Sequence, residues 1–204
     1  MNKAAFLDRD GVINQKAPTE DEYITRWEEM QILPGVAEAI ALLSGAGFHV
    51  IVVSNQRCVA KGMLTTRELD AIHHRMCSEL AAMGGKIDGV YYCPHEEQPP
   101  CGCRKPEPGM LFAAAGEHQI DLSSSWMIGD SEKDVEAGKR AGCRTARVLR
   151  PHISTDGNAD VLSRSLLEAV HQILQTEQTV ADRQEIGVQS NPREPKAANG
   201  ARCR

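Results

Sequence analysis

The sequence predicts an α/β fold of three layers, a doubly wound parallel sheet with helices on both faces, and three observations predict it. Apolar runs of strand length alternate four times with stretches of helical period. The runs are near-continuously apolar, as strands buried on both faces are. Every unusual polar motif follows directly on one of those runs, where parallel sheets gather their ligands.

The elements follow in order. Lys3 to Leu7 is a first short strand. Pro34 and Gly35 open an apolar-periodic helix to Leu43, proline suiting a first helical turn, and Gly45 and Gly47 close it before the buried strand Phe48 to Val53. Thr65 and Thr66 precede a helix to about Met83, Gly84-Gly85 ends it, and Ile87 to Tyr92 is the next strand. Pro108 starts a helix to about His118, Ser125 to Ile128 is a strand, Glu132 to Ala141 a helix and Arg144 to Leu149 a strand. A last helix spans Asp160 to Gln175. Residues 1–175 therefore read as one domain. From Thr176 the chain is polar, carries two prolines and keeps no period, so 176–204 reads as a disordered tail.

Composition narrows the function classes. A chain of 204 residues, 41% hydrophobic and 25% charged, matches one globular domain. Twenty-three Lys and Arg against 28 Asp and Glu give a net charge of −5, which disfavours a protein that neutralises nucleic-acid phosphates. No apolar run approaches the roughly 20 residues of a membrane helix, and Asp8 ends the apolar start too soon for a secretory signal. The expectation is a cytoplasmic monomer acting on a small molecule, with neither nucleic acid nor membrane as partner.

The first motif is Asp8-Arg9-Asp10-Gly11-Val12, two carboxylates two positions apart at a strand end. An aspartate needs no deprotonation to attack at neutral pH, and a neighbouring carboxyl can handle the proton. Alone, such a pair is also what a solvated strand end carries. Three further motifs accompany it: Ser54-Asn55, the segment Arg104-Lys105-Pro106, and Gly129-Asp130 with Asp134 one turn later. Together they supply what phosphoryl transfer needs, namely hydroxyl and ammonium donors for the equatorial oxygens and hard carboxylates for magnesium. Ser54 and Lys105 would bind phosphate, Asp8 and Asp130 would hold Mg2+, and Asp134 would support that shell.

Seven cysteines are present, and Cys93, Cys101 and Cys103 crowd into eleven residues with His95 between them. Three thiolates and one imidazole make a complete tetrahedral zinc set with no open position, hence structural Zn2+ rather than a catalytic one. Such a loop would carry Arg104 and Lys105 toward the carboxyl edge. The other histidines, including His73 and His152, have no comparable company.

With those residues in place, the chain resembles the haloacid dehalogenase (HAD) superfamily of phosphohydrolases over about residues 3 to 150. The resemblance implies Asp8 as nucleophile, Asp10 as acid/base with its carbonyl on magnesium, Ser54, Asn55 and Lys105 at the phosphate, and Asp130 as metal ligand. There is little room for the cap domain many members insert, so a capless, open site is expected. Tyr91-Tyr92-Cys93-Pro94-His95 and the run from Cys101 through Arg104-Lys105-Pro106 to Pro108-Gly109-Met110 look like the D-glycero-D-manno-heptose 1,7-bisphosphate 7-phosphatases. That resemblance implies a sugar bisphosphate as substrate and Arg104 on the phosphate left behind, a role suited to a planar guanidinium. The histidinol-phosphate phosphatases share the zinc set and are the alternative. A non-catalytic, zinc-stabilised binding protein is the alternative of another class, against which Asp8, Asp10, Lys105 and Asp130 are all retained. One departure stands out: where the heptose family continues Asn-Gln with Ser-Gly, this chain has Arg57-Cys58. The change adds a phosphate contact, narrows the pocket or marks a different sugar phosphate.

Overall fold

The computed structural model describes residues 1–17, 19, 22–149 and 158–189, with side chains to residue 179. Six parallel strands form one sheet in the order β3-β2-β1-β4-β5-β6. They are β1 (Lys3–Leu7), β2 (Phe48–Asn55), β3 (Gly89–Cys93), β4 (Trp126–Gly129), β5 (Arg144–Val148) and β6 (Val161–Ser163). Between them run α1 (Val36–Gly45), α2 (Thr66–Ala82), α3 (Gly109–His118), α4 (Glu132–Ala141) and α5 (Leu166–Gln189). The three-layer, doubly wound fold expected from the sequence is the one observed.

Strand alternation builds the layers. Ala5 and Leu7 of β1 with Val50 and Val52 of β2 face one core, completed by Ile40 and Leu43 of α1, Leu69 and Met76 of α2, and Val170 and Ile173 of α5. Their neighbours Ala4, Phe6, Ile51 and Val53 face a second core with Met110 and Leu111 of α3. Both faces of each central strand are thus dry, which explains the unbroken apolar runs. Thr65 caps α2 by accepting from the Glu68 backbone N–H, while Glu68 returns a carboxylate to the Thr65 N–H, a reciprocal arrangement that satisfies two otherwise orphaned donors.

Three differences from the sequence expectation stand out. Strand β3 begins at Gly89 rather than Ile87, because Asp88 closes the entry: its N–H donates to Val50 O and its side chain accepts from Val50 N. In place of a helix from Asp160 the chain first makes β6, which pairs with Ala146–Val148 of β5. Three residues are too short to show a period of two. The last helix also runs fourteen residues beyond Gln175, to Gln189, where a disordered tail was expected. Its extension is tied down at Glu177, which accepts from Arg144 at 3.3 Å, from the Trp126 indole N–H at 3.5 Å and from Lys3 at 3.5 Å. The rest of the expected tail, 190–204, and His152 lie outside the described residues.

The order 3-2-1-4-5-6 reverses direction between β1 and β4, and that reversal leaves a crevice at the carboxyl ends of the strands. No separate domain interrupts the described residues between β1 and β2 or between β2 and β3. The segment after β1 does fold over the crevice, closed at its base by the Asn14–Ile32 bridge and by Leu33 N–H donating to Ile13 O at 2.9 Å. Among the described residues no helix is long and apolar enough to cross a membrane.

Candidate active site

The motifs at the ends of β1, β2 and β4 meet the Arg104-Lys105 segment in one cleft of about 610 Å³, lined by Asp8, Asp10, Ser54, Asn55, Arg104, Lys105, Asp130 and Asp134. Asp8 is buried, its backbone N–H held by Ile128 O of β4 at 2.9 Å. Lys105 Nζ reaches it from the Cys/His loop, donating to Asp8 Oδ1 at 2.7 Å, to Val53 O at 2.8 Å and lying 2.6 Å from Asp134 Oδ1. All three ammonium hydrogens are thus committed. Burial opposes the charge on Lys105, but Asp134 and Asp8 outweigh it and hold the ammonium above its ordinary pKa.

Asp8 is driven the other way. Burial raises its pKa, Lys105 opposes, and the negative charges of Asp134 and Asp130 add to the rise, leaving it at about 7. Asp10 is also desolvated, yet the Arg9 guanidinium and hydrogen bonds from Asn14, Arg9 and Gln56 outweigh that and hold it below the usual carboxylate range. Arg9 Nη2 donates to both Asp10 oxygens at 2.9 Å, Asn14 Nδ2 donates to Oδ1 at 3.0 Å and Gln56 Nε2 to Oδ2 at 3.0 Å. Two carboxylates two residues apart are therefore pushed in opposite directions by their surroundings.

Asp8, Asp130 and Asp134 each offer an oxygen within 4.8 Å of the others. Lys105 lies between Asp8 and Asp134 and Lys16 Nζ lies 3.9 Å from Asp130 Oδ2, so two ammonium groups face three buried carboxylates and the floor of the cleft stays negative, a setting for a cation. Hard carboxylates in that number fit magnesium. Asp134 is the least available of the three, because Oδ1 faces Lys105 and Oδ2 accepts from Ser131 Oγ at 2.6 Å and Ser131 N at 3.0 Å, capping α4. Asp134, expected to support the magnesium shell, is thus engaged with Lys105 and with the helix start. Glycine makes the approach possible at two points. A Cβ on Gly11 would sit 2.3 Å from Asp130 Oδ2, and φ there is +98°; a Cβ on Gly129 would sit 2.1 Å from Asp134 Cβ.

The residues at the end of β2, expected at the phosphate, face the same cleft. Ser54 Oγ accepts from Gln56 Nε2 at 2.8 Å, so its own hydrogen is free to donate into the cleft. Asn55 Nδ2 donates to Lys105 O and Asn55 Oδ1 accepts from Lys105 N, both at 3.0 Å, leaving one amide hydrogen for a ligand. Asn55 therefore pins the backbone that carries Lys105.

In the Cys/His loop, Cys103 Sγ lies 3.2 Å from Cys93 Sγ, 3.5 Å from Cys101 Sγ and 3.2 Å from His95 Nδ1, and Cys93 Sγ lies 3.5 Å from His95 Nδ1. These separations are far beyond a disulfide bond and just under the edge of a tetrahedron built on zinc–sulfur bonds of about 2.3 Å. All four residues expected from the spacing converge on one point, a donor set that fits zinc.

Sequence reasoning missed Arg9, Asn14, Gln56 and His73. Arg9 is fully buried, and its Nη1 pairs with His73 Nε2 at 3.1 Å from α2. Burial, then the Arg9 charge, lowers the His73 pKa to about 3, which keeps the ring neutral. Asp10 thus rests on a buried arginine that rests on a buried histidine. The available signal was Arg9 standing between two acids at the end of a wholly buried strand.

Comparison with known proteins points to one class of enzyme. The HAD-hydrolase-like family model matches residues 102–159. A D-glycero-β-D-manno-heptose-1,7-bisphosphate 7-phosphatase from Pseudomonas putida is 43% identical over 146 residues, covering 72% of this chain and 82% of that protein. A D-glycero-D-manno-heptose-1,7-bisphosphate 7-phosphatase from Thermosynechococcus vestitus is 42% identical over 151 residues, 69% of this chain and 75% of that protein. Among solved structures, the D,D-heptose 1,7-bisphosphate phosphatase from B. bronchiseptica, complexed with magnesium and phosphate, superposes with a TM-score of 0.75 at 34% identity, covering 85% of this chain and 99% of that one. Fold and cleft together define a phosphatase of the HAD class. Within that class, the chain belongs to the heptose-1,7-bisphosphate 7-phosphatase family.

Proposed function

We propose that this protein is a magnesium-dependent phosphomonoesterase that removes the 7-phosphate of D-glycero-D-manno-heptose 1,7-bisphosphate through an aspartyl-phosphate on Asp8. The observation that carries the reading is the buried cluster of Asp8, Asp130 and Asp134 at the cleft, with Lys105 between Asp8 and Asp134.

Lys105 fixes the Asp8 carboxylate by one oxygen. The other attacks phosphorus, the bond from phosphorus to the sugar oxygen breaks, and the leaving oxygen takes a proton from the Asp10 carboxyl. Water then gives a proton to the Asp10 carboxylate and attacks the phosphorus on Asp8, releasing phosphate and restoring Asp8. The donors around Asp10 favour its ionised form, which the second step needs; acting as acid in the first requires one of them to let go. Ser54 and the remaining amide hydrogen of Asn55 are placed to donate to phosphoryl oxygens. Magnesium, held by Asp8, Asp130 and the main-chain carbonyl of Asp10, would supply charge neutralisation at the transferring group. Zn2+ on Cys93, His95, Cys101 and Cys103 would hold the loop that delivers Arg104 and Lys105, with Arg104 on the phosphate that remains.

The test is phosphate release with magnesium from heptose 1,7-bisphosphate and from histidinol phosphate side by side, with Asp8→Asn as the blank. A marked preference for the heptose is expected, with turnover by the variant reduced to background. Preference for histidinol phosphate would move the protein to the sister activity, and phosphate release by Asp8→Asn would remove Asp8 as nucleophile.

A further inference from the structure

Two consecutive glutamates of the Cys/His loop each hold an arginine at the rim of the cleft. Glu96 Oε2 accepts from Arg57 Nε at 2.5 Å, and Glu97 Oε1 accepts from Arg104 Nη2 at 3.1 Å and from Lys133 Nζ at 3.3 Å. Arg57 follows β2 by two residues, Arg104 belongs to the loop itself, and both side chains line the same cleft as Asp8 and Asp10. Three cations against two carboxylates leave this rim at +1, opposite in sign to the catalytic floor.

We propose that Arg57 is a specificity-determining residue, the second guanidinium of a subsite for the substrate's remote phosphate, which it shares with Arg104. The inference rests on the bisphosphate reading above. A phosphate dianion presents three acceptor oxygens, and one guanidinium fork satisfies two. A second fork, from the loop that follows β2, completes the set and fixes which end of a bisphosphate faces Asp8. Glu96 is a place-holder: it keeps Arg57 extended at the rim, where the pair is one-third exposed, and yields it when a phosphate of higher charge arrives. An ion pair so exposed contributes little to stability, so its presence calls for a reason other than folding.

If the pair were only a strut between the β2 loop and the Cys/His loop, breaking it from either side would have the same effect. A subsite gives opposite effects. Removing Arg57 removes a phosphate ligand, whereas removing the charge of Glu96 frees that ligand from its competitor.

The experiment is steady-state kinetics of the full chain with heptose 1,7-bisphosphate and with heptose 7-phosphate, which lacks the remote phosphate. Arg57→Ala is expected to raise KM for the bisphosphate about tenfold or more, the loss of one charge-assisted contact, with kcat little changed and the monophosphate unaffected. Arg57→Lys, which keeps the charge and loses the fork, falls between. Glu96→Gln is expected to lower KM for the bisphosphate or leave it unchanged. Equal effects of Arg57→Ala on both substrates, or a parallel rise in KM for Arg57→Ala and Glu96→Gln, overturns the subsite and leaves the bisphosphate reading standing. A wild-type enzyme that does not distinguish bisphosphate from monophosphate overturns both.

Discussion

At the scale of single residues, the site is governed by one buried cation. Lys105 sits within 2.7 Å of Asp8 and 2.6 Å of Asp134, with 2% of its side chain exposed. Removing one member of such a set leaves charges of one sign without compensation in a low dielectric, a loss of about 3 to 5 kcal/mol. Lys105→Met keeps the volume and deletes the charge. It is expected to lower stability by that amount, a fall in Tm of roughly 6 to 20 °C for a chain of this size, and to stop turnover because nothing then fixes Asp8. Thermal denaturation checks it; wild-type stability in the variant would mean that Asp8 and Asp134 are adequately solvated without Lys105. The same scale accounts for the opposite behaviour of Asp8 and Asp10. Asp10 has a guanidinium and two amides directed at it, whereas Asp8 shares one ammonium with Asp134 and also faces the charge of Asp130.

At the scale of elements, the loop between β3 and α3 holds few backbone hydrogen bonds of its own, Glu107 N to Arg104 O and Gly109 N to Gly102 O among them, and draws Cys93, His95, Cys101 and Cys103 together. Zinc bound there is expected in about one equivalent per chain after purification without chelator. Cys103→Ser is expected to lose it, to lower Tm and to reduce kcat although Cys103 touches no substrate, because Arg104 and Lys105 follow it directly. Metal content and kcat measured on the same preparation decide the matter, and full kcat in zinc-free Cys103→Ser protein would detach the loop from the chemistry. This loop was legible in the sequence because metal ligands must converge whatever the fold around them. The strands and helices with a clear period were legible too, as were the four polar motifs that the fold brings to one cleft. Strand β6 and the extension of α5 to Gln189 were not, since one is too short to show a pattern and the other is fixed by Glu177 reaching three residues far away in sequence. The Arg9–His73 contact was equally hidden, because it joins the end of β1 to α2 across 64 positions.

At the scale of the whole molecule, topology gathers acids from the ends of two strands that are neighbours only because the sheet reverses between them, and it buries them where the folded chain must carry their repulsion. Asp8 expresses this as a pKa raised from 3.8 to about 7. A group raised in the folded state holds a proton that the unfolded chain has already lost, so without metal its contribution is full below about pH 4 and is lost as pH rises toward 7. Magnesium competes with that proton, since it needs the carboxylate ionised. Its affinity is therefore expected to fall by up to about tenfold for each pH unit below 7, and the stabilisation it confers, which follows the ratio of its concentration to its dissociation constant, to grow from pH 6 to pH 8 and then level. Tm measured with and without magnesium across that range tests the argument. The gain should be clearly larger at pH 8 than at pH 6, and Asp8→Asn, which has no proton to displace, should flatten the dependence. An equal gain at both values in the wild-type protein would mean that Asp8 is ionised throughout, with Lys105 alone balancing its burial.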